Sequence, residues 1–291
     1  MKLSDESFII FIDYELYIVV YIIEITGNIM KNSKLRDIQS ELDHRKLPIN
    51  KVGVKDIRYP VTVLDRDEGS QHTVAKVNMY VSLPHQFRGT HMSRFIEILN
   101  RYRKGISTKN VKEILNEMKI QLDSETAHFE IEFPFFVTKA APISAEKAKM
   151  EYTCRLVADS NVDYYMLEVK VPVLSLCPCS KEISSYGAHN QRSIITVQIE
   201  AKEKIWIEDI IEIAESSASS DIYSILKRED EKYITEKSYQ NPVFVEDIVR
   251  NVAERLMKTK GILWFSAESE NMESIHNHSA YAQIYMNVER G

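Results

Sequence analysis

One order of secondary-structure elements occurs twice along this chain, and it limits the possible folds more than any other feature. Apolar periodicity predicts strand, strand, helix, helix, strand, strand in residues 49–160 and the same order in residues 161–291. No sequence identity is visible between the two halves, so the repeat is one of element order. Four antiparallel strands with helices on one face leave two open outer strands, which must find partners. We therefore expect an α+β protein of two such modules, with the sheets joining edge to edge across subunits into a barrel.

The predicted elements follow from β-branched, alternating runs for strands and from 3.6-residue spacing for helices. The predicted strands are 52–64, 73–83, 128–137, 150–158, 164–174, 193–201, 262–268 and 280–287. The predicted helices are 90–102, 111–122, 207–226 and one that begins after Asn241 and ends at Gly261. Ser107 or Thr108 is the expected cap of the second helix, and Asn241 with Pro242 is the expected start of the last.

Charge and cysteine content restrict the class of protein. The chain has 291 residues and a formal net charge of −6, which gives no overall electrostatic footprint for nucleic acid. Its three cysteines, at positions 154, 177 and 179, argue against a disulfide framework and for a reducing, cytoplasmic compartment. A polyanionic substrate would need a local basic pocket.

The first 48 residues are expected to be an extension and arm outside the repeated fold. Residues 8–25 are strongly apolar, but Asp13, Glu15 and Glu24 interrupt them. A membrane helix needs about 20 mostly uncharged residues, so we expect no membrane span here. A start at Met30 and a dispensable segment 1–29 are the favoured interpretation, with a peripheral membrane anchor as the alternative.

The polar loop from Cys177 to Arg192, C-P-C-S-K-E-I-S-S-Y-G-A-H-N-Q-R, concentrates reactive side chains between two predicted strands. A thiolate and an imidazole, here Cys177 and His189, are preferred ligands of zinc and similar metals. The alternative is a small buried cysteine and a hydrogen-bonded core histidine. The polarity of the loop favours the metal interpretation, because chemistry is usually mounted on loops between rigid strands.

Four other segments carry candidate residues, each with a simpler structural explanation. The run R-G-T-H-M-S-R, Arg88–Arg94, starts a helix and could bind phosphate or merely begin that helix in solvent. The charged run 227–236 is typical of a solvated face. Glu246, in a first helical turn, could be only a dipole partner. His276 and His278 form H-x-H, which suits a metal pair, proton transfer or plain surface exposure, and Asn277 indicates a loop.

The loop sequence C-P-C-S-K-E-I-S-x-x-G-A-H-N-Q-R closely resembles the signature of type IB GTP cyclohydrolases. The run K-R-E-D-E-K-Y-I-T-E also resembles that family, and the resemblance extends over residues 49–288. It implies one divalent metal (zinc, manganese or iron) held by Cys177, His189 and Glu231. It implies that Glu246 anchors guanine, and that Cys177, His276 and His278 are catalytic. It further implies a substrate-binding set of Arg88, His91, Ser93, Arg94, Lys181 and Arg192.

The resemblance also implies a fold and a reaction. The family uses tandem tunnelling-fold (T-fold) modules in a homotetramer, so active sites at subunit interfaces are expected, with GTP and a second copy as partners and no nucleic acid or membrane. The implied reaction converts GTP and water to 7,8-dihydroneopterin 3'-triphosphate and formate. The alternatives are a nitrile reductase of queuosine biosynthesis, a cyclohydrolase with a cyclic phosphate product, and a non-catalytic pterin- or metal-binding protein. His189 and Glu231 discriminate against the reductase, which needs no metal.

Overall fold

The fold is described by a computed structural model that covers residues 37–39, 41–108 and 110–288. The apolar run 8–25 and the dispensable segment 1–29 therefore lie outside the described residues. In the part of the chain that is described, no helix is long and apolar enough to cross a membrane.

In the described residues, nine strands form one antiparallel sheet in the order β1-β2-β3-β4-β5-β6-β8-β9, with the two-residue β7 paired to β5. The strands are β1 Ile49–Asp65, β2 Gly69–Leu83, β3 Ala127–Ala140, β4 Lys147–Asp159, β5 Tyr165–Leu176, β6 Asn190–Ala201, β7 Ser220–Asp221, β8 Ile262–Met272 and β9 Ser279–Asn287.

Six helices lie within the described residues. They are α1 Met92–Tyr102, α2 Val111–Gln121, α3 Pro178–Ile183, α4 Ile207–Glu215, α5 Arg228–Gln240 and α6 Val245–Lys258. The helices with apolar faces pack on one side of the sheet. Phe95 and Ile98 of α1 and Ile248 and Val252 of α6 are fully buried there. Each such side chain stabilises the fold by about 1.5–3 kcal/mol.

The expected fold class is wrong. Tandem T-fold modules, each with its own four-stranded sheet and two helices, would leave the last strand of the first half and the first strand of the second half as edges. Instead, β4 pairs with β5 over Thr153–Ala158 and Lys170–Tyr165, so both halves share one nine-stranded sheet. The physical reason is the short turn after Asp159, which returns the chain beside its own last strand and covers both edges within the molecule. The proposed boundary between residues 160 and 161 falls in this turn and stays a prediction.

Among the predicted element ends that differ from the structure, one helix end and two helix caps differ most clearly. The helix expected over 207–226 ends at Glu215 and is followed by β7. The last helix is capped at Phe244 rather than at Asn241, and α2 is capped at Asn110, whose side-chain oxygen accepts a bond from the Ser107 amide at 3.0 Å. The charged run 227–236 is helix α5 for most of its length, which the sequence pattern did not predict.

Candidate functional site

Three strand ends meet at one end of the sheet and carry the cysteine loop (residues 177–192) and the histidine turn (residues 273–278). Leu176, the last residue of β5, is paired with Asn190, the first of β6. Ser193 of β6 is in turn paired with Asn271 of β8. Because the strands are neighbours, the loop after β5 and the turn after β8 lie side by side.

Cys177 is fixed by its backbone and by the short helix that follows it. Its amide donates to the His189 carbonyl at 3.1 Å, which holds the two predicted ligands next to each other. Its sulfur accepts the Ser180 amide at 3.4 Å as the N-cap of α3, and Pro178 occupies the first turn. The Cys177 side chain is half-buried, whereas Cys179 is exposed. Cys177 is therefore held by two defined contacts and is only partly covered by the rest of the chain.

The His189 ring is held through one nitrogen. Its Nδ1 lies 3.0 Å from the Gln191 side-chain oxygen, 3.4 Å from the Ser274 hydroxyl and 4.0 Å from a Glu273 carboxylate oxygen. Metal-binding histidines commonly have one ring nitrogen fixed by such a partner, which leaves the other for the metal. Here that nitrogen is Nε2, so His189 fits the role of a ligand.

The third predicted ligand stands on a different element. Glu231 lies in the first turn of α5 and is exposed. Among the described residues, no three His, Cys, Asp or Glu side chains come close enough together to hold a metal ion. The structure thus brings Cys177 and His189 together but does not add Glu231 to them. The chemical types of these three groups, a thiol, an imidazole and a carboxylate, nevertheless suit zinc, manganese or iron.

The histidine turn contains both predicted proton-transfer residues. His276 and His278 are exposed, and their rings stack with centroids 5.2 Å apart and an interplanar angle of 21°. They lie in a turn between β8 and β9, as Asn277 indicated. Ser274 of the same turn contacts His189, so these histidines are near neighbours of the cysteine loop.

The start of α6 reaches the same end of the sheet. The Val243 amide donates to the Leu176 carbonyl at 3.2 Å, which places this segment directly beside Cys177. Glu246 follows in the first turn of α6 and is exposed. The carboxylate predicted to bind guanine and the predicted thiolate ligand are therefore carried by adjacent segments.

The two cations of the cysteine loop differ in their surroundings. The Lys181 ammonium donates to the Tyr239 carbonyl at 2.6 Å and lies 4.5 Å from the centre of that residue's ring. Lys181 thus ties the loop to the end of α5. Arg192 is exposed on β6, where it alternates with buried Gln191 and Ser193.

The arginine segment (Arg88–Arg94) lies at the opposite end of the sheet. It follows the end of β2, and Val81 near that end is paired with Ala127, the first residue of β3. Asp159, the last residue of β4, and Tyr165, the first residue of β5, lie at this same end of the sheet. Cys177 follows the last residue of β5 and therefore lies at the other end. A twelve-residue strand spans roughly 35–40 Å, so the two predicted groups do not meet within one chain.

Within the arginine segment, the predicted phosphate ligands have local partners. Arg88 pairs with Glu41 at 3.0 Å, and the His91 ring lies 3.2 Å from Asp37. Arg94 donates to the Gln121 carbonyl at 2.7 Å. His91 is the N-cap of α1, without a side-chain capping bond, and Ser93 lies exposed in the first turn.

A partly buried ionic network supports the Cys177 end of the sheet. Lys139 of β3 contacts Glu215 of α4 at 2.8 Å and Asp221 of β7 at 3.1 Å, and Lys237 of α5 contacts Asp221 at 2.8 Å. Burial raises the pKa of Asp221, but the two lysines outweigh it and hold this pKa below its ordinary value. Burial raises the pKa of Glu215 above its ordinary value. The network joins α4, β7 and α5 to the first half of the chain.

Sequence reasoning missed two polar residues that support His189. Gln191 is buried, and its amide donates to the Ser175 hydroxyl at 3.0 Å and to Glu273 at 3.3 Å. The available signal was the period of two in a strand, which puts residues 189 and 191 on one face. Glu273 lies in the histidine turn, directly after β8 and 82 residues from Gln191, so no local pattern pointed to it.

The chain is similar to known proteins over most of its length. A family model described as type I GTP cyclohydrolase folE2 matches residues 35–282. The GTP cyclohydrolase FolE2 of Geotalea uraniireducens (strain Rf4) is 57% identical over 251 residues, covering 86% of this chain and 93% of that protein. The FolE2 of Magnetococcus marinus is 55% identical over 252 residues, covering 86% and 95%. The crystal structure of uricase from Arthrobacter globiformis is similar with a TM-score of 0.44 at 8% identity, covering 83% of this chain and 93% of that one.

Proposed function

The chain belongs to the type I GTP cyclohydrolase FolE2 family, and we propose that it converts GTP and water into 7,8-dihydroneopterin 3'-triphosphate and formate. It is an enzyme with GTP cyclohydrolase I activity, which supplies the first intermediate of tetrahydrofolate biosynthesis. The observation that carries the proposal is the backbone bond between Cys177 and His189, in a loop flanked by the histidine turn and the start of α6. The similarity to FolE2 GTP cyclohydrolases does not favour the alternative function, a nitrile reductase of queuosine biosynthesis.

Cys177, His189 and Glu231 are proposed to hold one divalent metal ion, zinc, manganese or iron. The first two already lie together, and the Nδ1 contacts of His189 leave Nε2 for the ion. When bound, such an ion supplies Lewis acidity, which lowers the pKa of water. Gln191 and Glu273 would keep the His189 ring in its orientation, as outer partners of metal ligands do.

Glu246 is proposed to bind the guanine edge, and the two histidines of the 273–278 turn are proposed to move protons. A carboxylate can accept hydrogen bonds from both the N1–H and the 2-amino group of guanine. His276 and His278 suit proton transfer because the ordinary pKa of histidine lies near neutral pH. Both groups are carried by segments that adjoin the cysteine loop: the Glu246 segment through the bond of Val243 to Leu176, and the histidine turn through the contact of Ser274 with His189.

A second copy of the chain is proposed to complete each site. The phosphate-binding set Arg88, His91, Ser93 and Arg94 lies at the far end of the sheet from Cys177, so a neighbouring copy must supply it. Lys181 and Arg192 would add cations from the same copy as the metal ligands. A homotetramer with sites at its interfaces satisfies this requirement. We propose that it works in the cytoplasm and has no nucleic acid or membrane partner. The net charge of −6 agrees with the lack of a nucleic acid partner.

Mixing two inactive variants tests the shared site. Arg88→Ala and Cys177→Ala each lack one part of the site, so co-refolded mixtures should regain up to about a quarter of wild-type GTP turnover, from sites with one intact part from each parent. A mixture of Cys177→Ala with His189→Ala should regain nothing, because both residues lie on the same copy. Equal recovery in both mixtures, or none in the first, would contradict a site shared between copies.

Metal removal tests the proposed chemistry directly. Chelation followed by dialysis should abolish formate release from GTP, and adding back zinc, manganese or ferrous ions one at a time should restore it. The metal that restores the highest turnover at stoichiometric loading identifies the preferred ion. Full turnover in metal-free protein would refute the metal proposal and leave the family assignment intact.

A further inference from the structure

Asp230 is a completely buried carboxylate in the first turn of α5, directly before Glu231. It accepts four hydrogen bonds. One comes from the Lys227 amide at 2.8 Å, which is an ordinary helix-capping contact. The other three come from a different part of the chain: the Ile143 amide at 2.8 Å, the Ser144 amide at 2.9 Å and the Ser144 hydroxyl at 2.6 Å. A residue that only capped α5 would not need these three.

The three donors from Ile143 and Ser144 lie in the β3–β4 turn (residues 141–146), which has an unusual backbone conformation. Ala145 adopts a φ of +59°, a left-handed conformation that residues other than glycine rarely take. The turn is closed by the Ala141 amide, which donates to the Glu146 carbonyl at 2.8 Å, and by the Ala145 amide, which donates to the Ala141 carbonyl at 3.1 Å. Such conformations persist where the surroundings hold them in place. Here Ala145 is bonded to Ala141, and its neighbour Ser144 is bonded to Asp230.

The two ends of α5 are anchored separately. Near its C-terminal end, Lys237 contacts Asp221, and Asn241 just beyond the helix donates to the Ala218 carbonyl at 2.9 Å. These contacts do not fix the first turn, which lies about 10 Å away along the helix at 1.5 Å per residue. The first turn is fixed by Asp230, and through it by the first half of the chain. The burial of Asp230 raises its pKa, but the hydrogen bonds from Ser144, Lys227 and Ile143 outweigh this and keep the pKa below its ordinary value.

We propose that Asp230 is a positioning residue, which holds the first turn of α5 on the β3–β4 turn and thereby sets where the Glu231 carboxylate is presented to the metal. The inference rests on the proposed role of Glu231 as a metal ligand. The β3–β4 turn thus contributes to the metal site without contacting the ion. Partners one step removed from a metal ligand commonly change metal affinity by about 10- to 100-fold when they are replaced.

The test is the zinc affinity of the purified full-length chain, measured by competition with a chromophoric chelator, together with circular dichroism and thermal unfolding. Asp230→Asn keeps the shape but turns an amide group towards the amide donors of the turn. We expect a folded protein that binds zinc about 10- to 100-fold more weakly. Ser144→Ala keeps the carboxylate and loses one donor, so it should show a smaller loss in the same direction.

Asp247→Asn is the matched control. Asp247 occupies the equivalent position in α6, where its carboxylate accepts the Phe244 amide at 3.2 Å. This variant should lower the unfolding temperature without changing zinc affinity. Equal losses of zinc affinity in Asp230→Asn and Asp247→Asn would overturn the proposal, because the effect would then be one of helix capping in general.

The remaining outcomes separate this inference from the ligand assignment. If Glu231→Gln loses zinc binding but folded Asp230→Asn keeps it, the positioning role of Asp230 is refuted and the ligand assignment of Glu231 stands. Zinc binding unchanged in Glu231→Gln would refute the ligand assignment, and the positioning role with it. If Asp230→Asn does not fold, Ser144→Ala decides, and wild-type zinc affinity in that variant overturns the proposal.

Discussion

Replacing Cys177 is expected to remove both the bound metal and GTP turnover while the chain stays folded. Alanine at this position would lose a ligand and also the acceptor for the Ser180 amide at the start of α3. Serine separates the two effects, because its hydroxyl is a good N-cap but a poor substitute for a thiolate ligand. Cys177→Ser should therefore lose its metal, unfold at the same temperature as metal-free wild-type protein and reduce turnover by at least about 100-fold. Metal content by mass spectrometry and formate release from GTP measure these quantities.

Cys179→Ala is the matched control for this variant. Cys179 is two residues away, exposed, and has no role that its surroundings indicate. Its replacement should reduce turnover far less than replacement of Cys177. Retention of metal and rate in Cys177→Ser would show that the ligand assignment is wrong, and an equal loss in Cys179→Ala would show that the wrong thiol was chosen.

The strands of this protein could be predicted from sequence, whereas the way they join could not. Alternation along β2 puts Val77 and Met79 in the core, and this local signal requires no knowledge of partners. The edge of β4 can pair with β5 of the same chain or with a strand of another copy, and in this structure it pairs with β5. Both alternatives satisfy the same hydrophobic pattern, so the pattern could not exclude separate modules.

Helix α5 was missed for a different physical reason. Its apolar stripe is weak because the helix is held by polar contacts, such as Asp230 with the β3–β4 turn and Lys237 with Asp221. Apolar periodicity indicates which side chains are buried, so it does not reveal a helix held by polar contacts. The same limit applies to the site. Cys177 and His189 flank one loop and could be predicted together, but the contact of His189 with Ser274 joins segments 85 residues apart.

Replacing Glu246 with glutamine is expected to weaken GTP binding and leave the metal in place. If the carboxylate only stabilised α6 as a partner of the helix dipole, the change would alter stability by about 0.3–1 kcal/mol and nothing else. If it binds the guanine edge, glutamine loses a charge-assisted pair of hydrogen bonds and turns an amide group towards a donor. An unsatisfied buried donor costs about 1–3 kcal/mol, which corresponds to a tenfold or greater loss of GTP affinity at the upper end of that range.

Glu254→Gln provides the control, because Glu254 is exposed on the same helix and pairs only with Lys258 among the ion pairs of the described residues. It should bind both metal and GTP as the wild-type protein does. Calorimetric titration of GTP and metal analysis on the same Glu246→Gln sample separate the two possible roles. Wild-type GTP affinity would contradict binding of the base by Glu246. Loss of metal would place Glu246 among the ligands, which is possible because its segment lies beside the Cys177 loop.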